Sequence, residues 1–298
     1  YVFGMKAVFY SFLTYFLFIN YIDSKIKTKV LVNSLALTVL ILSLQLCYKF
    51  YDMGFSSMFI FQRSNILIPI GPIATAAAII AILLPVILVF ALVEKHFLNK
   101  TYLYFSLILG FLAVFLTLGK AALLALSVAT FYLFLKDERL RPALSFSLLW
   151  FLVLSFIIFN PFFMGFIERL QTTFVDANTE FRILEYETSK KIIKNNIYFG
   201  VGPGQQLYYF KKLLNNDNPQ LLNNLFLQMI VDYGVFGILL LLYLIKRIFK
   251  KAKSMTSGLS VDRVLAHGLF ASLIIAFING MFEVTFFAVP YVFLFWTI

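Results

Sequence analysis

The chain reads as an all-α, polytopic integral membrane protein, and three observations predict it. Of 298 residues, 61% are hydrophobic and only 13% charged, which no soluble globular composition matches. Apolar runs of about 20 residues, the length needed to cross a bilayer, recur along nearly the whole chain. The charged residues between them cluster in short segments whose sidedness alternates.

Eight or nine transmembrane helices are expected, near residues 5 to 22, 30 to 48, 66 to 93, 102 to 118, 120 to 135, 143 to 160, 224 to 245, 264 to 282 and 284 to 298. The third run is long enough to hold a bend, for which Pro69, Pro72 and Pro85 supply reasons. With no initiator Met and an apolar end, the chain reads as a piece of a longer polytopic protein. Three parts follow: helices one to six in 1–160, a long loop in 161–222 and helices seven to nine in 223–298.

Taking "DSKIKTK" (23 to 29) as cytoplasmic fixes every later side by alternation. Lys95 and Lys100, "KDERLRP" (136 to 142) and "KRIFKKAK" (246 to 253) then all fall inside, as the positive-inside rule requires. The net charge of +11 is thus a matter of sidedness and does not mark a nucleic-acid surface. The same alternation puts Arg63, the Gly119-Lys120 break, the loop 161–222 and Glu283 outside.

That loop, about 62 residues, is long for a structureless connection and is expected to be functional. In it "TEFRILEYETSKKIIKN" (179 to 195) reads as an amphipathic helix, with Phe181, Leu184, Thr188 and Ile192 on one face and Arg182, Glu185 and Ser189 on another. It should stop at Asn195-Asn196, before a glycine-rich turn, and a second short helix should follow at 205 to 216. Gly200, Gly202 and Gly204 lack the spacing and flanks of a phosphate loop. They describe a tight turn that permits positive φ and close approach of another backbone or a ligand.

Arg182 carries a planar charged fork suited to pyrophosphate, or else pairs with Glu185 one helical turn on. Lys120, between two apolar runs, either snorkels to the outer interface or faces a polar cavity, and Arg63 has the same two options. Asn224, Gln228 and Asp232 form an i, i+4, i+8 stripe that should face the protein interior or a cleft. Cys47, alone, builds neither a disulfide nor a Cys-based metal site, and His96 and His267 fall on the cytoplasmic side, away from an outer site.

Four stretches in order resemble the O-antigen ligase and O-antigen polymerase family of bacterial membrane glycosyltransferases. "LTLGKAALLAL" (116 to 126) is similar to its Thr-x-Ser-Arg-Gly-Ala span, with Gly119-Lys120 in place of Ser-Arg. "FRILEYETSKKIIKNNIYFGVGPG" (181 to 204) resembles its outer-loop helix led by an Arg and ended by Asn-Pro-x-x-Gly-x-Gly. "NNLFLQMIVDYGVFG" (223 to 237) is similar to its His-Asn motif with a following Gly-x-x-Gly, and "FINGMFEVTFF" (277 to 287) to its closing helix pair.

The resemblance implies glycan transfer from an undecaprenyl-pyrophosphate-linked oligosaccharide to an acceptor glycan at the outer leaflet, without metal, nucleotide or other cofactor. It implies a multi-pass protein of the bacterial inner (cytoplasmic) membrane that acts on its outer face, with a chain-length regulator as a further partner. Arg182, Lys120 and Arg63 would stabilise the departing pyrophosphate, while Asn224, Gln228, Gly200 and Gly202 would shape the substrate site. Asn223 stands where the family has its motif histidine and cannot accept a proton at neutral pH. Either Asn223 only orients the acceptor, or a carboxylate such as Glu185 or Asp232 supplies the base, or the chain is inactive. Because the histidine is a fixture of ligases, its loss favours a polymerase of capsule, O-antigen or exopolysaccharide units. A transporter or an accessory subunit is the non-enzymatic alternative, although the sequence shows neither inverted repeats nor clearly broken helices.

Overall fold

A computed structural model describes residues 24–52, 67–69, 71–117, 119–136, 177–214, 222–255 and 260–283, with a few isolated positions besides. The runs expected at 143 to 160 and 284 to 298, most of 5 to 22, and Arg63 lie outside the described residues.

Eight helices make up nearly all of the described chain: α1 (Lys25–Asp52), α2 (Ile73–Val93), α3 (Phe97–Leu116), α4 (Lys120–Lys136), α5 (Ala177–Asn195), α6 (Gln206–Leu214), α7 (Leu225–Met255) and α8 (Ser260–Phe282). Five of them, α1, α2, α3, α7 and α8, are long and apolar enough to cross a membrane, so the protein is a polytopic helical membrane protein. α4 has the same apolar character but 17 residues, about 26 Å of rise.

The run at 66 to 93 is not one long helix. Two residues, Leu67–Ile68 (β1), pair antiparallel with Gly71–Pro72 (β2), and the helix begins only at Ile73. Hydropathy sees a continuous apolar run here, whereas Pro72 has no N–H to donate and fits just ahead of a first helical turn. Pro85 lies inside α2.

α2 is the centre of the bundle, with α1, α3, α4 and α8 packed around it and almost every side chain buried. Its sequence explains this position, because it carries no charged residue and its run of Ala76, Ala77 and Ala78 lets neighbouring backbones come close. The outer helices leave large apolar side chains exposed, such as Leu37, Ile41, Phe105, Ile108, Leu239 and Leu240. Exposed apolar bands on helices of this length are lipid-facing surfaces.

Three side-chain bonds agree with helices that alternate in direction. The Lys29 Nζ at the start of α1 meets Glu94 Oε2 in the α2–α3 turn at 2.7 Å. Tyr132, near the end of α4, bonds His267, near the start of α8, at 2.9 Å. At the opposite side, Asn224 Nδ2 before α7 donates to the Met281 carbonyl near the end of α8 at 2.9 Å.

Glu94 also accepts from Asn99 Nδ2 at 2.7 Å and from the N–H groups of Lys95 and His96 at 3.0 Å. Lys29 above all, helped by the His96 amide and Asn99, holds its carboxyl down from 4.5 to about 2. Because the folded value lies below the unfolded one, its stabilisation is complete above about 4.5 and fades as pH falls towards about 2. Glu94→Gln is therefore expected to lower the thermal midpoint at neutral pH and to change it little near the bottom of that window. Equal losses at both ends would contradict the ion-pair account.

Candidate functional site

The glycine-rich turn after α5 is built into a break in α7. Gly234 sits at φ 67° and ψ −160°, which interrupts the helix nine residues from its start. In an unbroken helix the Val235 and Phe236 N–H groups would donate to the carbonyls of Val231 and Asp232. Here Val235 donates to the Ile197 carbonyl at 2.8 Å and Phe236 to that of Tyr198 at 3.5 Å. The freed carbonyls of Val231 and Asp232 accept from Val201 and Gly202, both at 2.9 Å. The turn thus replaces two helical rungs with four bonds of its own.

This exchange needs glycine on both sides. A Cβ on Gly200 would strike the backbone of Asp232 and Tyr233, and one on Gly234 would strike the Tyr198 carbonyl and the Phe199 amide. Both residues also have positive φ, which only glycine adopts cheaply. Gly200, expected to shape a substrate site, is therefore filled by the backbone of α7, while a Cβ on Gly202 would meet only the Gln205 side chain.

The polar stripe of α7 is fully built into the fold. Asn224 caps the helix, its Oδ1 accepting from the Leu227 N–H at 3.0 Å while its amide holds α8. Gln228, fully buried, accepts from the Leu222 N–H at 3.1 Å and donates to Asp232 Oδ2 at 2.7 Å. The Asp232 carboxylate is buried beside the glycine turn, and its Oδ1 has no hydrogen-bond partner among the described residues.

Residues 179–195 are helical as expected, and the buried side of α5 takes residues from both of the faces read from the sequence. Glu185, Thr188, Ser189 and Ile192 are buried, whereas Ile183, Leu184 and Tyr186 are exposed. Thr188 and Ile192 come from the face that holds Leu184, and Glu185 and Ser189 from the face that holds Arg182. The exposed side is mixed, with Glu187, Lys190, Lys191 and Lys194 beside Ile183, Leu184 and Tyr186.

This packing brings α5 polar groups onto the ends of α7 and α8. Asn223 Nδ2 donates to both carboxylate oxygens of Glu185, at 3.4 and 3.3 Å. Arg182 pairs with Glu283 at 3.8 Å, and this partner is the carboxylate at the end of α8, not Glu185. Burial pushes the Glu185 carboxyl above its ordinary range, against the bonds from Asn223 and the charge of Arg182, and the Glu283 charge adds to the rise. The Arg182 side chain stays 33% exposed.

Glu283 is the member that sequence reasoning passed over as a site residue. A lone carboxylate at the end of an apolar helix was the available signal. Next to the cluster lies a groove of about 440 Å³ between α5 and α7, lined by Tyr186, Lys190, Ile193, Phe226, Leu227 and Ile230, with Asn224 at its edge. It is mainly apolar, with one cation on its wall.

Lys120 is half-buried in the first turn of α4. α4 packs on α2 and α8, and the alternating helix directions put Lys120 and Glu283 at the same side of the bundle. His267 is held by Tyr132 at the opposite side, and the described residues contain no cluster of His, Cys, Asp or Glu able to hold a metal.

The fold and the cluster define a class: a multi-pass helical membrane protein whose loop helix presents an arginine and a buried carboxylate at one side of the bundle. Residues 105–242 match the family model described as O-antigen ligase. The matched segment holds Lys120, Arg182, Glu185, Asn223, Asn224, Gln228 and Asp232, and ends before Glu283. No curated protein matches the chain significantly.

Proposed function

We propose that the protein is a polysaccharide polymerase. It moves a glycan from an undecaprenyl-pyrophosphate carrier to an acceptor sugar hydroxyl at the outer leaflet of the bacterial cytoplasmic membrane. The contact between Asn223 and Glu185 carries this reading, because it supplies an oriented base where the motif histidine is missing.

The acceptor hydroxyl attacks the anomeric carbon of the carrier-linked sugar, and the bond from that carbon to the pyrophosphate oxygen breaks. Undecaprenyl pyrophosphate leaves with the bonding electrons, and the hydroxyl proton passes to Glu185. A carboxylate raised above its ordinary range is better matched to this task near neutral pH than an ordinary one. Arg182, with Lys120 and Arg63, stabilises the charge that develops on the leaving group. Asn223 holds the base in place, and the apolar groove beside it suits a lipid-linked substrate.

Ligase-type transfer to a lipid-linked acceptor is the second reading, favoured by the description of the matching family model. Against it stands Asn223 at the position of the histidine. A transporter would use the break in α7 as an open ion or substrate site, but its freed backbone groups are taken by the glycine turn.

The test is polymer-length analysis of surface glycan in a deletion strain complemented with Arg182→Ala. Loss of about 10²- to 10³-fold in transfer, and hence of long polymer, is expected with the variant present in the membrane. Full-length polymer would remove Arg182 from the mechanism.

A further inference from the structure

The turn that fills the α7 break lies at a depth no ordinary surface loop reaches. Gly234 is nine residues from the start of α7, about 14 Å of rise, and twelve residues before the Lys246-Arg247 cluster, about 18 Å. A hydrocarbon layer of about 30 Å fits between those ends, so Gly234 falls well inside it. The turn is hydrogen-bonded to residues 231–236 and shares that depth.

Three further observations suit such a position. From Asn195 to Phe210 the chain has no charged residue, and Lys194 and Lys211 bound the stretch. Part of the tip backbone is bonded: the carbonyls of Ile197 and Tyr198 and the Val201 N–H through the exchanged bonds, and the Gly200 N–H to the Asn196 carbonyl at 2.9 Å, which lowers the cost of removing it from water. The tip's large side chains point away from the protein: Tyr198 is 66% exposed and Phe199 77%. The Phe199 ring packs against Phe236, itself exposed on the membrane-crossing helix, at 5.3 Å between centroids.

We propose that residues 197–201 form a re-entrant loop embedded in the leaflet opposite the Lys246 cluster, with Tyr198 and Phe199 facing acyl chains. The lipid surface of α7 at Phe236 continues directly onto Phe199, so bilayer lipid is the occupant, and the inference stands whether or not the protein transfers glycans. It also gives the exchanged bonds their purpose: without them the tip could not lose its water.

The experiment uses the protein in nanodiscs with Trp150→Phe and Trp296→Phe, so that a single introduced tryptophan reports. Phe199→Trp, and separately Tyr198→Trp, is expected to emit at short wavelength and to be quenched several-fold more by mid-chain-brominated lipid than by aqueous acrylamide. Phe199→Cys in a Cys47→Ala background should resist a membrane-impermeant maleimide in intact membranes and react in detergent. Acrylamide quenching with maleimide labelling would overturn the proposal by placing the tip in water. Short-wavelength emission insensitive to both quenchers would overturn it as well, by showing that protein covers the patch.

Discussion

Glu185→Gln is expected to abolish glycan transfer while leaving the protein folded and at least as stable as before. As the proposed proton acceptor, Glu185 should account for about 10²- to 10⁴-fold of rate. Glutamine keeps the size and the oxygen that faces Asn223 but accepts no proton. Burial raises the folded-state value of this carboxyl above its unfolded one, so the folded protein binds the proton more tightly. Its ionised form is therefore a cost: stability falls as pH rises from the unfolded value through the raised folded one. A neutral amide removes that cost at neutral pH. The wild-type rate should rise with pH through the raised Glu185 value, because only the ionised form accepts a proton. Thermal melts and transfer rates across pH, on wild type and variant, check both halves. A variant that keeps the wild-type rate and its acid limb would assign the base elsewhere, with Asp232 the next carboxylate to test.

Gly234→Ala is expected to break the docking of the loop onto α7. The new methyl would meet the Tyr198 carbonyl and the Phe199 amide, both backbone atoms that no rotamer change can move. It would also hold a positive φ at a non-glycine residue. Clash and strain together should cost roughly 3 kcal/mol or more, since four interlocking backbone bonds depend on the approach. Gly202→Ala is the control, because its positive φ opens on free space and only the strain of about 1 to 2 kcal/mol remains. Thermal unfolding in detergent and limited proteolysis of residues 177–214 measure the difference. Equal behaviour of the two variants would show that the reciprocal glycine contact does not hold the loop.

Much of the fold could be read locally. The loop helix expected at 179 to 195 runs as Ala177–Asn195, and the short one expected at 205 to 216 runs as Gln206–Leu214, because asparagines and glycines punctuate both ends. The buried side of α5 straddles the two faces that periodicity gives, because periodicity says nothing about which neighbours the helix meets. The α7 break escaped notice for a different reason. Gly234 tolerates a break, but the cause is a hydrogen-bonding partner some thirty residues earlier in the chain. Glu283 likewise acquires its role only when α8 ends beside Arg182, a meeting that no local pattern records. The stripe Asn224, Gln228 and Asp232 was legible because a polar row on an apolar helix has few places to go, and it turned inward as expected.

The proposed transfer of glycans from a lipid pyrophosphate rests on the cluster of Arg182, Glu185 and Asn223. Its most direct test reconstitutes the protein in liposomes with an undecaprenyl-pyrophosphate-linked repeat unit and follows both polymer and released undecaprenyl pyrophosphate. The account predicts a ladder of elongated glycan with matching release of carrier, insensitive to a metal chelator and lost in Glu185→Gln. Binding or transbilayer movement of the lipid-linked unit, with no elongated product and no carrier released, would contradict it.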